Sequence, residues 1–270
     1  MTIAFGVLCQ DGIVLGADGE YTRDWLKTQG QKIFTVCNRD GLSIVAAASG
    51  NPDLAKRAAL LLKSYFEEAT DCPVLSEISD IAERAISKVF REHVYIAPPE
   101  RYADLYFDFI LGICAKGIGP VLLSSGATVL TPVGPYQCHG SGEHVGQFLL
   151  KTILGDYPTL DHATQVATYI IEQAMRSVSG VGQPATVRFI TLATGAIGTL
   201  RTSEMSTISR NFDGLLSAFR RCVSSIDSTV DDSIVETQVG LLKEQIGVLR
   251  AESQRRDRGA RGAIEDLLSE

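Results

Sequence analysis

Blocks of short strands alternating with pairs of helices predict an α+β protein: a four-layer αββα sandwich with an extra helical extension at the C-terminal end. Three observations carry this. Apolar runs of strand length, separated by hairpin-sized polar turns, open the chain and recur twice more. Between them lie segments in which apolar residues return at every third or fourth position, the mark of a helix with one buried face. After Arg201 the composition shifts to helix formers and charge. Antiparallel hairpins interrupted by helix pairs suit two facing sheets covered by helix layers better than a parallel doubly wound sheet.

In chain order, Ile3 to Cys9 and Ile13 to Ala17 read as strands around the turn Gln10-Asp11-Gly12. Lys32 to Cys37 and Leu42 to Ala48 form a second hairpin around Asn38-Arg39-Asp40-Gly41, so four strands are expected before any helix. Trp25, the only tryptophan, falls in the polar loop between the second and third strands, where it lines a channel or packs on a neighbour. From Asp53 the period turns helical through Leu54, Ala58, Leu61, Leu62 and Tyr65. A second helix follows Cys72-Pro73, with Ser76 as its expected N-cap and Ile78, Ala82, Ala85 and Val89 on one face. Strands are expected at Asp108 to Ala115, Pro120 to Ser125 and Thr128 to Val133, then helices at Glu143 to Leu154 and Leu160 to Val178, the latter capped by Thr159. Val187 to Ala193 and Ile197 to Arg201 close this part as a strand pair. Residues 1–203 are therefore read as one domain and 204–270 as a helical extension. In the extension Val235, Val239, Leu242, Ile246 and Leu249 keep a 4, 3, 4, 3 spacing, which suits either a short coiled-coil seam or an ordinary packed helix. The arginine-rich stretch from Ala251 to Gly262 is expected to fray or lie at the surface.

With 45% hydrophobic and 21% charged residues in 270, the chain is built for a packed core, and disorder or a fibrous repeat is excluded. A net charge of -7 with no basic face ahead of the tail argues against nucleic acid and against an anionic membrane. No apolar run reaches the roughly 18 residues a membrane helix needs, and the start lacks the basic and apolar regions of a signal peptide, so a cytoplasmic location is expected. The six cysteines show no C-x-x-C spacing, and most lie in apolar runs, where a thiol acts as a small hydrophobe. His139 and His144 flank Gly140-Ser141-Gly142 but have no third ligand and no nucleophile elbow, so no metal and no cofactor is expected and a capping or surface role is assigned to them.

The residue singled out for chemistry is Thr2. A threonine hydroxyl is a weak nucleophile unless a base sits beside it, and a free α-amino group on the same residue can be that base. Met1 next to a small side chain is a usual substrate for aminopeptidase trimming. On its own, a Met-Thr start means little more than the first residue of a strand. The context is Thr2-Ile3-Ala4-Phe5-Gly6-Val7, then Asp11 to Gly19, then Gln31-Lys32-Ile33-Phe34. Ala47 to Asp53, Gly140-Ser141-Gly142 and Ser179-Gly180 follow in register. Over roughly residues 2 to 200 this order resembles the β subunits of the proteasome and the bacterial HslV-type peptidase, which are N-terminal nucleophile (Ntn) hydrolases.

The resemblance implies that the Thr2 hydroxyl attacks a carbonyl carbon while its amine takes the proton. It also implies that Lys32 is buried beside Thr2 and that Asp18 pairs with Lys32. Backbone N–H groups around Ser49 and Gly50 would form an oxyanion hole, where chemistry asks for the N–H groups and not for glycine as such. Ser141 and Ser179 would hydrogen-bond the amine or its water. The implied substrate is a peptide or unfolded protein, the implied assembly a homo-oligomeric ring, and any ATPase or regulator is left unnamed. The chain departs from the family pattern at four points. Arg176 stands where an aspartate usually precedes the serine matching Ser179, Ile3 follows the nucleophile in place of a second threonine, the Asp18 to Lys32 spacing is slightly short, and the tail is longer. Two alternatives stay open beside a threonine peptidase: a catalytically silent scaffold that assembles through its C-terminal helices, and an Ntn amidase acting on a small metabolite.

Overall fold

The computed structural model describes residues 2–23, 26–69, 74–155, 157–226 and 231–268, with backbone only at 22, 23, 26 and 255–268. Met1, Trp25 and Cys72 lie outside the described residues. Contacts divide the chain into two units, Met1–Leu200 and Arg201–Glu270.

The first unit begins with β1 (Ala4–Cys9) and β2 (Gly12–Ala17), paired antiparallel from Ala4↔Ala17 to Cys9↔Gly12. A second hairpin, β3 (Glu20–Arg23) and β4 (Leu26–Gln29), stands on its own. It was not expected: both strands are short and polar and carry no alternation of apolar residues to betray them. Six strands, not four, therefore precede the first helix, because β5 (Ile33–Arg39) and β6 (Leu42–Gly50) follow. Next come α1 (Pro52–Glu68) and α2 (Leu75–Val89). The strands β7 (Phe107–Ala115), β8 (Gly119–Gly126), β9 (Val129–Pro132) and β10 (Tyr136–His139) come after a short helix, α3 (Tyr102–Leu105). The unit closes with α4 (Glu143–Ile153), α5 (Leu160–Ser177), β11 (Thr186–Thr191) and β12 (Ile197–Thr199).

One five-stranded sheet has the order β10-β1-β2-β11-β12 and the other β5-β6-β7-β8-β9. They stack face to face, with α1 and α2 on the outer face of the second sheet and α4 and α5 on the outer face of the first. This is the expected αββα sandwich. Both faces of the central strands are covered, so β2 is buried along its whole length and β6 everywhere but its last residue. Alternation along β6 divides the core in two. Ile44, Ala46 and Ala48 meet Ala58, Leu62 and Phe66 of α1 and Ala82, Ala85 and Val89 of α2. Val45 and Ala47 point the other way, toward Ala4, Ile13, Leu15 and Ala17 of the facing sheet, in company with Ile110 of β7 and Leu122 of β8. Each buried Val, Leu, Ile or Phe side chain among them contributes about 1.5–3 kcal/mol, an alanine methyl about 0.8 kcal/mol.

Helix ends show where local signals worked. Asn51 caps α1, its Oδ1 accepting from the N–H groups of Asp53 and Leu54, with Pro52 in the first turn. Thr159 caps α5 as expected. Ser76 does not cap α2: the cap falls two residues earlier, at Val74, and the Glu77 carboxylate reaches back to the N–H of Val74. Beyond Val89 the chain widens into a π-helical turn, Phe90–Val94, which stacks Phe90 on Phe107 at 4.9 Å between ring centroids.

The second unit holds α6 (Thr202–Ser224) and α7 (Asp232–Leu268), which pack on each other. The row of α7 with reduced exposure is Val235, Gln238, Leu242, Gln245 and Leu249, whereas Val239 and Ile246 of the expected seam stay exposed. The helix runs through the arginine-rich stretch without a break. Among the described residues no helix is long and apolar enough to cross a membrane.

Candidate active site

The first hairpin decides where the site forms. β1 starts at Ala4 and its partner β2 ends at Ala17, so Thr2 and Ile3 on one strand and Asp18 on the other emerge together at the same end of the sheet. Ile3 and Asp18 then lock to each other: the Ile3 N–H donates to Asp18 Oδ1 at 3.0 Å and the Asp18 N–H donates to the Ile3 carbonyl at 3.2 Å. Asp18 Oδ2 accepts from the N–H groups of Glu20 and Gly182, both at 3.1 Å. The carboxylate is thus held by three backbone donors before any cation is counted.

Lys32, just ahead of β5, supplies the cation. Its Nζ donates to Thr2 Oγ1 at 2.6 Å, to Asp18 Oδ1 at 2.7 Å and to the Glu20 carbonyl at 2.5 Å, so each of its three N–H bonds has an acceptor. The Lys32 and Asp18 side chains are both 0% exposed. Burial pulls the ammonium below the ordinary lysine range, and the negative charge of Asp18 works against that pull. Despite the short spacing between Asp18 and Lys32, the β3–β4 hairpin returns the chain to the carboxylate.

Thr2 is 3% exposed. Its nitrogen donates to Ser141 Oγ at 3.0 Å, and its carbonyl accepts from the N–H of Gly142 at 3.0 Å and from Ser141 Oγ at 3.4 Å. The turn between β10 and α4 therefore clasps the residue by its backbone, while Lys32 holds its hydroxyl. Four of the residues expected to act together, Thr2, Asp18, Lys32 and Ser141, form one hydrogen-bonded set.

Ser179 is not brought into that set. α5 ends at Ser177, and the turn that follows leaves Ser179 exposed while it swings the Gly182 N–H onto Asp18. Arg176, where the family pattern has an aspartate, is exposed and pairs with Glu172 on its own helix at 3.2 Å. Ser49 is buried on β6, directly opposite Asp108 of β7. Gly50 ends the strand with φ +85°, and a Cβ there would lie 2.3 Å from the Tyr106 carbonyl. The backbone itself thus demands glycine, whatever the chemistry asks. Gly50→Ala is expected to cost at least about 2 kcal/mol, from a positive φ and a backbone clash together, read as a lower denaturant midpoint.

Other groups at this end of the sandwich were missed by the sequence reading. Among the described residues Asp108 Oδ1 is enclosed with no hydrogen-bond partner, and burial raises the carboxyl above the usual range against the pull of Tyr106 and Ser125. His139 is neither a cap nor a surface residue: its Nε2 lies 2.7 Å from Ser124 Oγ, and burial lowers its pKa. The pair joins β8 of one sheet to β10 of the other, a contact that no local pattern announces. Among the described residues no group of three His, Cys, Asp or Glu side chains is gathered as a metal site would need. Cys9 and Cys114 are buried, and burial pushes both thiols up to about 12, which leaves them inert at neutral pH.

An αββα sandwich with this strand order has the proteasome-like Ntn fold. Solved structures of that class match closely in shape. The chain superposes on a Gly-1 mutant of Anbu from Hyphomicrobium sp. strain MC1 with a TM-score of 0.71 at 16% identity, over 84% of this chain and 100% of that one. For Anbu from Pseudomonas aeruginosa, solved as a helical assembly, the TM-score is 0.68 at 19% identity, over 81% and 96% of the two chains. Anbu from Yersinia bercovieri, described as an ancestral beta-subunit, gives 0.67 at 18%, over 81% and 97%. No protein-family model and no curated protein matches the sequence.

Proposed function

We propose that the chain is a threonine-type Ntn hydrolase that cleaves peptide (amide) bonds through an ester on Thr2. Residues 1–203 form the hydrolase domain and 204–270 a helical extension able to pair through a short coiled coil. The observation that carries this is the 2.6 Å hydrogen bond from a fully enclosed, Asp18-paired Lys32 ammonium to Thr2 Oγ1. A structural threonine gains little from a buried cation, whereas a nucleophile gains a lowered pKa.

Removal of Met1 turns the Thr2 nitrogen into an amine, already within reach of Ser141 Oγ. The Thr2 hydroxyl then bonds to the carbonyl carbon and passes its proton to that amine, directly or through a water. The amide C–N bond breaks, and the leaving nitrogen takes the proton back from the ammonium so formed. Water, activated by the same amine, hydrolyses the ester and frees the acid. N–H groups at Ser49 and Gly50 would hold the oxyanion, and Lys32 supplies positive charge beside the attacking oxygen. Self-assembly into a homo-oligomer draws support from the helical assembly of the Pseudomonas protein.

Treatment with a threonine-directed β-lactone or epoxyketone, followed by intact mass and N-terminal sequencing, is expected to give a chain that starts at Thr2 and carries one inhibitor mass. A chain that keeps Met1 and takes up no inhibitor would instead support the silent scaffold. Labelling of Thr2 with hydrolysis of small amides but no peptides would favour the metabolite amidase.

A further inference from the structure

The strand that shields the site also carries an aromatic residue that the mechanism above does not use. Tyr21 lies on β3, and Lys32 Nζ sits 4.6 Å from the centroid of its ring. Three features hold the ring there. The Tyr21 backbone is pinned by pairing with Thr28 across the hairpin. Its hydroxyl donates to the carbonyl of Gln31, the residue before Lys32, at 3.0 Å. Gly30 leaves the space the ring occupies, since a Cβ at that position would come within 2.6 Å of the ring edge.

We propose that Tyr21 is a positioning residue for Lys32: its ring roofs the ammonium and, by its negative face, holds it charged against the Thr2 hydroxyl. The proposal deepens the hydrolase reading and rests on it for its catalytic meaning. An aromatic face carries negative potential, so it stabilises a cation that burial has stripped of water. Among the described residues, the charged and titratable groups facing this pair are Asp18 beside the ammonium, the carbonyl and side chain of Glu20 on β3, the latter paired with Lys27 of β4 at 2.8 Å, and Asp53 at the start of α1 near the Tyr21 ring. Burial, with the two carboxylates Asp18 and Asp53 adding to it, raises the phenol's pKa, so the ring stays neutral while Lys32 titrates. Since burial already draws the Lys32 midpoint down, loss of the ring draws it down further, and the ammonium gives up its proton at lower pH.

The test follows Lys32 directly, by NMR of ¹³Cε-lysine across pH, with its signal assigned by its loss in Lys32→Met, and in parallel records kcat against pH on an amide substrate. In Tyr21→Leu the Lys32 midpoint and the alkaline limb of kcat are both expected to fall by roughly 0.5 to 1.5 pH units. Gly30→Ala, which leaves Tyr21 in place but crowds its ring, should reproduce the shift. Tyr21→Phe keeps the ring and loses only the hydroxyl tether, so its midpoint should stay near that of the unaltered protein. A Tyr21→Leu protein that folds but titrates unchanged overturns the inference. If Tyr21→Leu does not fold, Gly30→Ala decides by the same midpoint. A shifted midpoint in a protein that hydrolyses no amide would sink the hydrolase reading and leave the role of Tyr21 standing. Hydrolysis with an unmoved midpoint would do the reverse.

Discussion

Replacing Thr2 with alanine is expected to lower kcat/KM on a responsive amide substrate by about four orders of magnitude or more, the scale on which removal of a covalent nucleophile acts. Covalent labelling should vanish with it. Fold stability should change far less, because the lost hydroxyl is one of three acceptors around Lys32 Nζ, and a hydrogen bond to a charged group is worth about 1.5–3 kcal/mol. Thr2→Ser keeps a hydroxyl and an amine on one residue and should retain most of the activity. The contrast separates chemistry from folding: a Thr2→Ala protein that melts near the original temperature yet still hydrolyses the substrate would remove Thr2 from the mechanism.

The largest effect on stability is expected at Asp18. This carboxylate accepts four hydrogen bonds, from the N–H groups of Ile3, Glu20 and Gly182 and from Lys32 Nζ. Asp18→Asn keeps the shape but removes the charge and turns an NH₂ group toward donors, which leaves an ammonium enclosed without its counter-ion. Breaking a buried pair in this way costs about 3–5 kcal/mol. For a unit of this size that is a fall in Tm of roughly 10 °C. Activity should drop with it, since Lys32 would shed its proton or turn away from Thr2. Removing both charges is less harmful than removing one, so Asp18→Asn with Lys32→Met should regain part of the lost stability and none of the activity. Thermal melts of the two single variants and the double variant close the cycle. If Asp18→Asn melts with the unaltered protein, the pair does not organise this end of the fold.

How far these residues could be read in advance depended on the range of the interactions that hold them. The hairpin of β1 and β2, the helix faces of α1 and α5 and the Thr159 cap rest on neighbours within a few positions, so apolar period and capping chemistry disclosed them. β3 and β4 escaped because a hairpin without an apolar face gives no period to detect. Thr2, Asp18, Lys32 and Ser141 were found through motif order, which records the outcome of folding without showing its contacts. Motif order also named Ser179, which is exposed and lies outside that hydrogen-bonded set. Motif order gives no measure of where a turn will point, and the turn after α5 delivers the Gly182 N–H to Asp18 and leaves the serine in solvent.

The amino-acid sequence by itself determined the strand and helix blocks, the layering they force and the identity of a threonine, an aspartate, a lysine and a serine as partners. The blocks and layering follow from side-chain period and turn chemistry, which are local, and the four residues from a motif order that resembles the proteasome β subunits. Tertiary structure alone decided that Gly182, 164 positions from Asp18, completes its cradle, and that Ser124 and His139 join the two sheets. It alone put the Tyr21 ring over the Lys32 ammonium. Such contacts depend on how two stacked sheets and their connecting turns meet in space, and a hydrogen bond or a ring face acts over a few ångströms, whatever the distance along the chain.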